Sequence, residues 1–398
     1  MGLFGLADSS IRLRLRVGLG RYCCVMADLS DYELAAWRDI KRFKGRPLSR
    51  AMRNTSEQVA IGAAELGSRA TTYLENHPGT QSAVSRGQGI VANGAHAIGT
   101  GARKTAAALP DGMADWSGAA FESMRNTVGR VSRVGLSSKR VVASHKKRGH
   151  DVASLSDLRG LDLQQIDTVH GRGMTWYYPA SAALSGMGAG LVISGGELVT
   201  AASAGAAAAP SGAAIVGAFA GDAAFVLGLA SRSVGHVSLH YGYDPDEPAE
   251  KLFVMSVVNS GTAMSATAKT AAMADVSRLT QALVRGKTWE ILDKTVVAKV
   301  SGQFAKAFGF RLTKQGLGKV VPAVGILVGG TLNWATLEAI VDAADVAYRR
   351  RFLLEKYPHL ASEETPESLP GDVPASPDDA EAISVLSELA EAGGPDLR

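Results

Sequence analysis

The chain has 398 residues, of which 46% are apolar, 20% charged and 6% aromatic, with 45 glycines; at roughly 100–200 residues per domain this allows two or three domains with a sizeable core. The charge is zoned. Residues 1–180 carry 25 Lys and Arg against 15 Asp and Glu, residues 181–361 carry 16 against 13, and residues 362–398 carry 1 against 10. The two cysteines, Cys23 and Cys24, are adjacent, which excludes a disulfide framework and a four-cysteine zinc site and fits a reducing, cytoplasmic setting.

In chain order, residues 1–30 carry Arg12, Arg14 and Arg16, but Arg21 interrupts the apolar stretch behind them, so no signal-peptide core forms and export is not expected. This segment reads as a disordered or mis-called extension, with Met26 the start. A basic helical region is expected over 31–175. It opens with a helix from Asp31 to Lys44, N-capped by Asp31 and stopped at Gly45–Pro47. A longer helix spans Leu48 to Glu75, and no structure is assigned to 80–113. Asp115 to Leu136 is an amphipathic helix with Phe121, Met124, Val128 and Val131 on one stripe and Arg125, Arg130 and Arg133 off it. Residues 137–172 read as a basic loop containing Lys146, Lys147 and Arg148.

An apolar helical core is expected over 176–358. Residues 182–209 hold one charge, Glu197, and residues 211–231 hold one, Asp222. The pairs Gly186/Gly190, Gly217/Gly221 and Gly325/Gly329 set small residues on one helix face, which lets backbones approach. A closely packed helical hairpin over 182–231 is therefore predicted, with membrane insertion open as a second use of the same stretches. Trp289, Leu292, Val296, Val300, Phe304 and Phe308 predict another helix, and the charge-free stretch 320–337 runs into a helix ending at Arg349–Arg351. Over 359–398 an acidic, disordered linker leads to a short helix starting at Ser376, with Ile383, Leu386 and Leu389 on one face and a stop at Gly393–Gly394. No long alternating run exists, so the fold class is all-α, a multi-helix bundle.

No phosphate loop, dinucleotide fingerprint or nucleophile elbow is present, and no cofactor is expected. His236 and His240 share one helix face but lack the acidic residue of a zinc-protease motif, so no metal is expected either; they read as histidines near a helix end, favourable to its dipole. Asp222, alone in an apolar helix, needs partners and reads as a structural post bridging helices. Thin aromatic interleaving in the basic half speaks against nucleic acid. The basic residues Arg125, Arg130, Arg133, Lys146, Lys147 and Arg148 suit an anionic lipid surface better.

Tyr32–Glu33 with Trp37, Gly221–Asp222, His240–Tyr241–Gly242–Tyr243–Asp244, Pro322–Ala323–Val324–Gly325, Asn333 and Tyr348 to Phe352, in that order and spacing, resemble the EcsC family over about residues 31–357. The departure is Asp222–Ala223–Ala224 where relatives tend to have Asp-x-Pro. The resemblance implies Trp37, Gly217, Gly221, Asp222, Tyr241, Gly242, Asp244, Gly325 and Asn333 as family positions. It implies a link to an ABC-type transporter or lipid surface and assigns no reaction. The expected function is a non-catalytic, membrane-associated accessory protein on the cytoplasmic side. The alternative is an enzyme acting on a lipid-like or small hydrophobic substrate through Asp222 and the His236/His240 region.

Overall fold

The computed structural model describes residues 29–43, 135–171, 173–186, 212–286, 294–317, 325–363 and 383–397. Every regular element among them is a helix, and they contain no strand. The expected helices at 48–75 and around 115–134, most of the first arm of the expected hairpin (187–211) and the expected tail start at Ser376 lie outside the described residues, as do Arg125, Arg130 and Arg133.

Helix α1 is Asp31–Arg42. Its N-cap is Ser30, one residue earlier than expected: the Ser30 hydroxyl accepts from the Glu33 amide at 3.2 Å, and the Glu33 carboxylate accepts from the Ser30 amide at 3.2 Å. This reciprocal cap satisfies two of the unpaired amides at a helix start. The segment expected to be a basic loop contains α2 (Ser138–Lys147), a 3-10 turn at Ser156–Gly160 and α3 (Leu163–His170). Val141, Val142, Leu158, Leu163 and Ile166 are buried, and this tertiary burial holds helices too short to persist alone.

Helix α4 covers 173–186 and runs through Pro179. It packs antiparallel on α5 (Gly212–His240), with Tyr178 at His236 and Ser185 at Asp222. The C-terminus of α5 closes with two overlapping bonds, Gly242 N–H to Leu239 O at 3.1 Å and Tyr243 N–H to Ser238 O at 2.9 Å, which require a left-handed residue between them. Gly242 supplies it at φ +84°, and a Cβ there would also lie 2.9 Å from the Leu155 carbonyl.

Next come α6 (Pro248–Gly261), α7 (Ala266–Val284), α8 (Lys294–Leu317) and α9 (Gly325–Lys356). Leu252 to Gly261 is buried throughout, so α6 is the central helix and its neighbours enclose it. At Gly261 the approach is closest: a Cβ would lie 2.6 Å from the Cα of Ile340 on α9. Val300, Phe304 and Phe308 of α8 are buried as their spacing predicts. Helix α9 does not end at Arg349–Arg351 but continues to Lys356 and is followed by a 3-10 turn, Pro358–Glu363. Trp37 and Ile40 of α1 belong to the same core as α5, α6, α8 and α9.

The end of the chain departs from the expected disordered tail. Ser384 caps α10 (Val385–Glu391), and Val385, Leu386 and Leu389 are buried in the main core. Asn259 of α6 donates to the Ile383 carbonyl at 2.6 Å, and Ser384 donates to Asp275 of α7 at 2.6 Å. Residues 383–397 are thus docked. No described helix is long and apolar enough to cross a membrane.

Candidate functional site

Asp222 sits on α5 between two other helices. Its carboxylate accepts from the Ser185 hydroxyl of α4 at 2.7 Å and from the Asn333 amide of α9, which is 3.0 Å from both oxygens. Burial raises its pKa, and the Asn333 and Ser185 hydrogen bonds hold the rise in check. One carboxylate joins three helices. Gly221 beside it is exposed, and among the described residues a Cβ there meets nothing within 4 Å; most of the arm expected to pack on it lies outside those residues. Gly217 lies within α5 and Gly325 opens α9.

The second group of family positions lies at the other end of α5. Tyr241 is fully buried; its hydroxyl faces Asp167 at 3.3 Å and Asp345 at 3.4 Å and accepts from Arg349 Nε at 3.1 Å. Arg349 also pairs with Asp167 at 3.0 Å, and Tyr32 of α1 donates to the same carboxylate at 2.6 Å. Burial works against the Arg349 charge, yet Tyr241, Asp345 and Asp167 hold its pKa above the ordinary value. Asp244 closes the following turn by accepting from the Asp246 amide at 3.0 Å. Nearby, Glu33 accepts from Lys356 at 2.9 Å and Tyr357 at 2.8 Å, and Glu250 accepts from Arg351 at 2.6 Å and Tyr348 at 2.5 Å. These bonds lock α1, α3, α5, α6 and α9 together.

Five histidines gather beside this junction. His240 lies 5.0 Å from His170 and 5.2 Å from His236 between ring centroids, and His145 meets His150 through their Nδ1 atoms at 3.0 Å. Burial lowers the pKa of His236 to about 4, helped by His170 and Arg232, and that of His240 to about 2, helped by His170 and His236. Both shifts favour the neutral rings of His236 and His240, which weakens their expected interaction with the helix dipole. The Tyr178 hydroxyl meets His236 Nδ1 at 3.2 Å. His240 Nδ1 and His170 Nε2 have no hydrogen-bond partner among the described residues, and no group of His, Cys, Asp or Glu there is arranged to hold a metal ion.

Asp222 and His236 are separated by about 21 Å along α5, at about 1.5 Å per residue. Both cannot act on one substrate bond. The basic positions that are described lie at the end of α2, where Lys146, Lys147 and Arg148 are exposed and Arg148 donates to the Thr168 carbonyl of α3. Glu250, Arg351, Asp167 and Arg349 were missed by sequence reasoning. Glu250 is a carboxylate in the first turn of a mostly apolar helix, beside Lys251, a weaker signal than the mid-helix Asp222, and the arginines read as an ordinary basic helix end.

The chain spans about half the length (48%) of one curated relative that it matches, the uncharacterised protein YdbA of Bacillus subtilis (strain 168), to which it is 27% identical over 139 residues, 34% of this chain. No solved structure matches. The EcsC protein family matches residues 96–353, a stretch that includes Asp222, Asn333 and the Tyr241–Asp244 turn. The chain belongs to the EcsC protein family.

Proposed function

We propose that this protein is a membrane-associated accessory protein on the cytoplasmic side that acts by contact with a lipid surface or a membrane complex, such as an ABC-type transporter, and not by catalysis. The observation that carries this reading is the end of α2. His145 is buried and anchors the helix while Lys146, Lys147 and Arg148 project into solvent. Basic side chains held at a surface contribute about 1 kcal/mol each next to anionic lipid. The polar family positions support the non-catalytic part, because Asp222 and Tyr241 use their hydrogen-bonding atoms to join helices.

Co-sedimentation of the full chain with phosphatidylglycerol-containing vesicles tests this reading. Binding should exceed that to pure phosphatidylcholine, weaken with added salt, and weaken further in Lys146→Glu/Lys147→Glu. Equal recovery with both vesicle types, or no recovery with either, refutes it.

A further inference from the structure

Helix α4 is apolar on its outer face as well as its inner one, which is unusual for a surface helix. Its inner face, Met174, Tyr178, Pro179, Ala182 and Gly186, is buried. Its outer face is also apolar: Trp176 is 66% exposed, Tyr177 50% and Leu184 69%. With Gly173, Ala180 and Ala183 these residues project within an arc of about 120° at about 100° per residue. The arc contains no charged side chain. A helix face turned to water ordinarily carries charge there, and an exposed cluster of large apolar groups marks a contact surface.

Two features identify the occupant. The chemistry is interfacial, since Trp and Tyr settle at the headgroup level of a bilayer while Leu enters the acyl boundary. The flank is basic, because Arg148 donates to the Thr168 carbonyl of α3, which sets Lys146, Lys147 and Arg148 beside the end of α3 that leads through Gly171 into α4. Cations next to an aromatic and aliphatic face complement anionic headgroups above an acyl layer. We propose that the Trp176/Tyr177/Leu184 face of α4 inserts into the interface of an anionic bilayer, with Lys146, Lys147 and Arg148 engaging its headgroups. This rests on the membrane-associated reading and names the element that makes the contact.

The test uses the full chain with Cys23→Ser and Cys24→Ser, carrying Leu184→Cys or, as a control on the exposed side of α8, Lys299→Cys, each labelled with an environment-sensitive fluorophore. On phosphatidylglycerol–phosphatidylcholine vesicles the label at 184 should shift to the blue and be quenched by spin-labelled acyl chains, whereas the label at 299 should do neither. In the unlabelled chain, Trp176→Ala/Leu184→Ser should weaken partitioning about tenfold or more with unchanged far-UV circular dichroism. If vesicles bind but the label at 184 stays in water and the double variant binds equally well, this face is overturned while membrane association stands. Absence of binding to any vesicle overturns both. If the label at 184 becomes shielded in lipid-free solution as protein concentration rises, a second copy of the chain is the occupant and the lipid assignment is overturned.

Discussion

Arg351 is the residue whose removal the fold should tolerate least. Its guanidinium donates to Glu250 at 2.6 Å and to Glu355 at 3.0 Å, and it lies 3.9 Å from the centre of the Tyr243 ring. Glu250 is 2% exposed. Burial raises its pKa, and Arg351 and Tyr348 oppose that rise. At an effective dielectric of about 20, unit charges about 4 Å apart attract by about 4 kcal/mol, and stripping one member from a buried pair costs about 3–5 kcal/mol because the other is stranded. Arg351→Met keeps most of the aliphatic stem and should lose that amount in urea unfolding followed by far-UV circular dichroism at neutral pH. Glu250→Gln/Arg351→Met leaves no stranded charge and should be more stable than Arg351→Met alone. The pH dependence has a defined sign. Burial already raises the folded pKa of Glu250 above its ordinary value; without the opposing Arg351 charge the rise should grow, so the folded state binds the proton more tightly. Stability relative to the parent therefore improves as pH falls from neutral toward about 4.5. A loss below about 1 kcal/mol in Arg351→Met, or a double variant as unstable as the sum of the singles, refutes the reasoning.

Gly261→Ala should cost about 1–3 kcal/mol, because its Cβ would meet the Ile340 backbone at 2.6 Å. Gly302→Ala on α8, where a Cβ meets nothing within 4 Å, should raise thermal stability by up to about 1 kcal/mol; the same sign for both would contradict the packing at α6 and α9. Asp222→Ala should cost about 1–3 kcal/mol by stranding Ser185 and Asn333, and Asp222→Asn should cost less, since burial already favours the neutral form; denaturant midpoints of the two variants decide this. The histidine cluster should make the fold acid-sensitive. His145 and His236 have folded pKa values lowered to about 4 from 6.5, so their contribution is complete above pH 6.5 and is lost as pH falls toward about 4. Melting temperatures across that window should drop less steeply in His236→Gln than in the parent.

The helical class was legible because spacings of three and four dominate and period-two runs are missing; Val300, Phe304 and Phe308 are read correctly from spacing alone. Asp222 was legible for a different reason, since a lone carboxylate in an apolar helix must be met by donors. The short helices α2 and α3 were not legible. Ten residues hold too few apolar positions for a period to stand out, and Val141 and Val142 are buried by Val152 and Leu158 of the turns that follow and by Leu239 of α5. Arg349–Arg351 misled because a basic run suits a helix end, and the partner that draws Arg351 inward, Glu250, is 101 positions away. The apolar stripe of Leu386 and Leu389 was visible, but the surface receiving it, near Asn259 and Asp275, was not.

The bond between Glu33 and Lys356 joins residues 323 positions apart, and it bears on how the protein assembles. Closing so long a loop carries an entropic cost that only the finished helical body can offset, and distant contacts slow folding. Helix α1 should dock late, after α5, α6 and α9 have presented Lys356, Tyr357 and the cleft for Trp37. A helix joined in this way is a cooperative unit with its own opening equilibrium. Its amides should exchange with deuterium before those of α6.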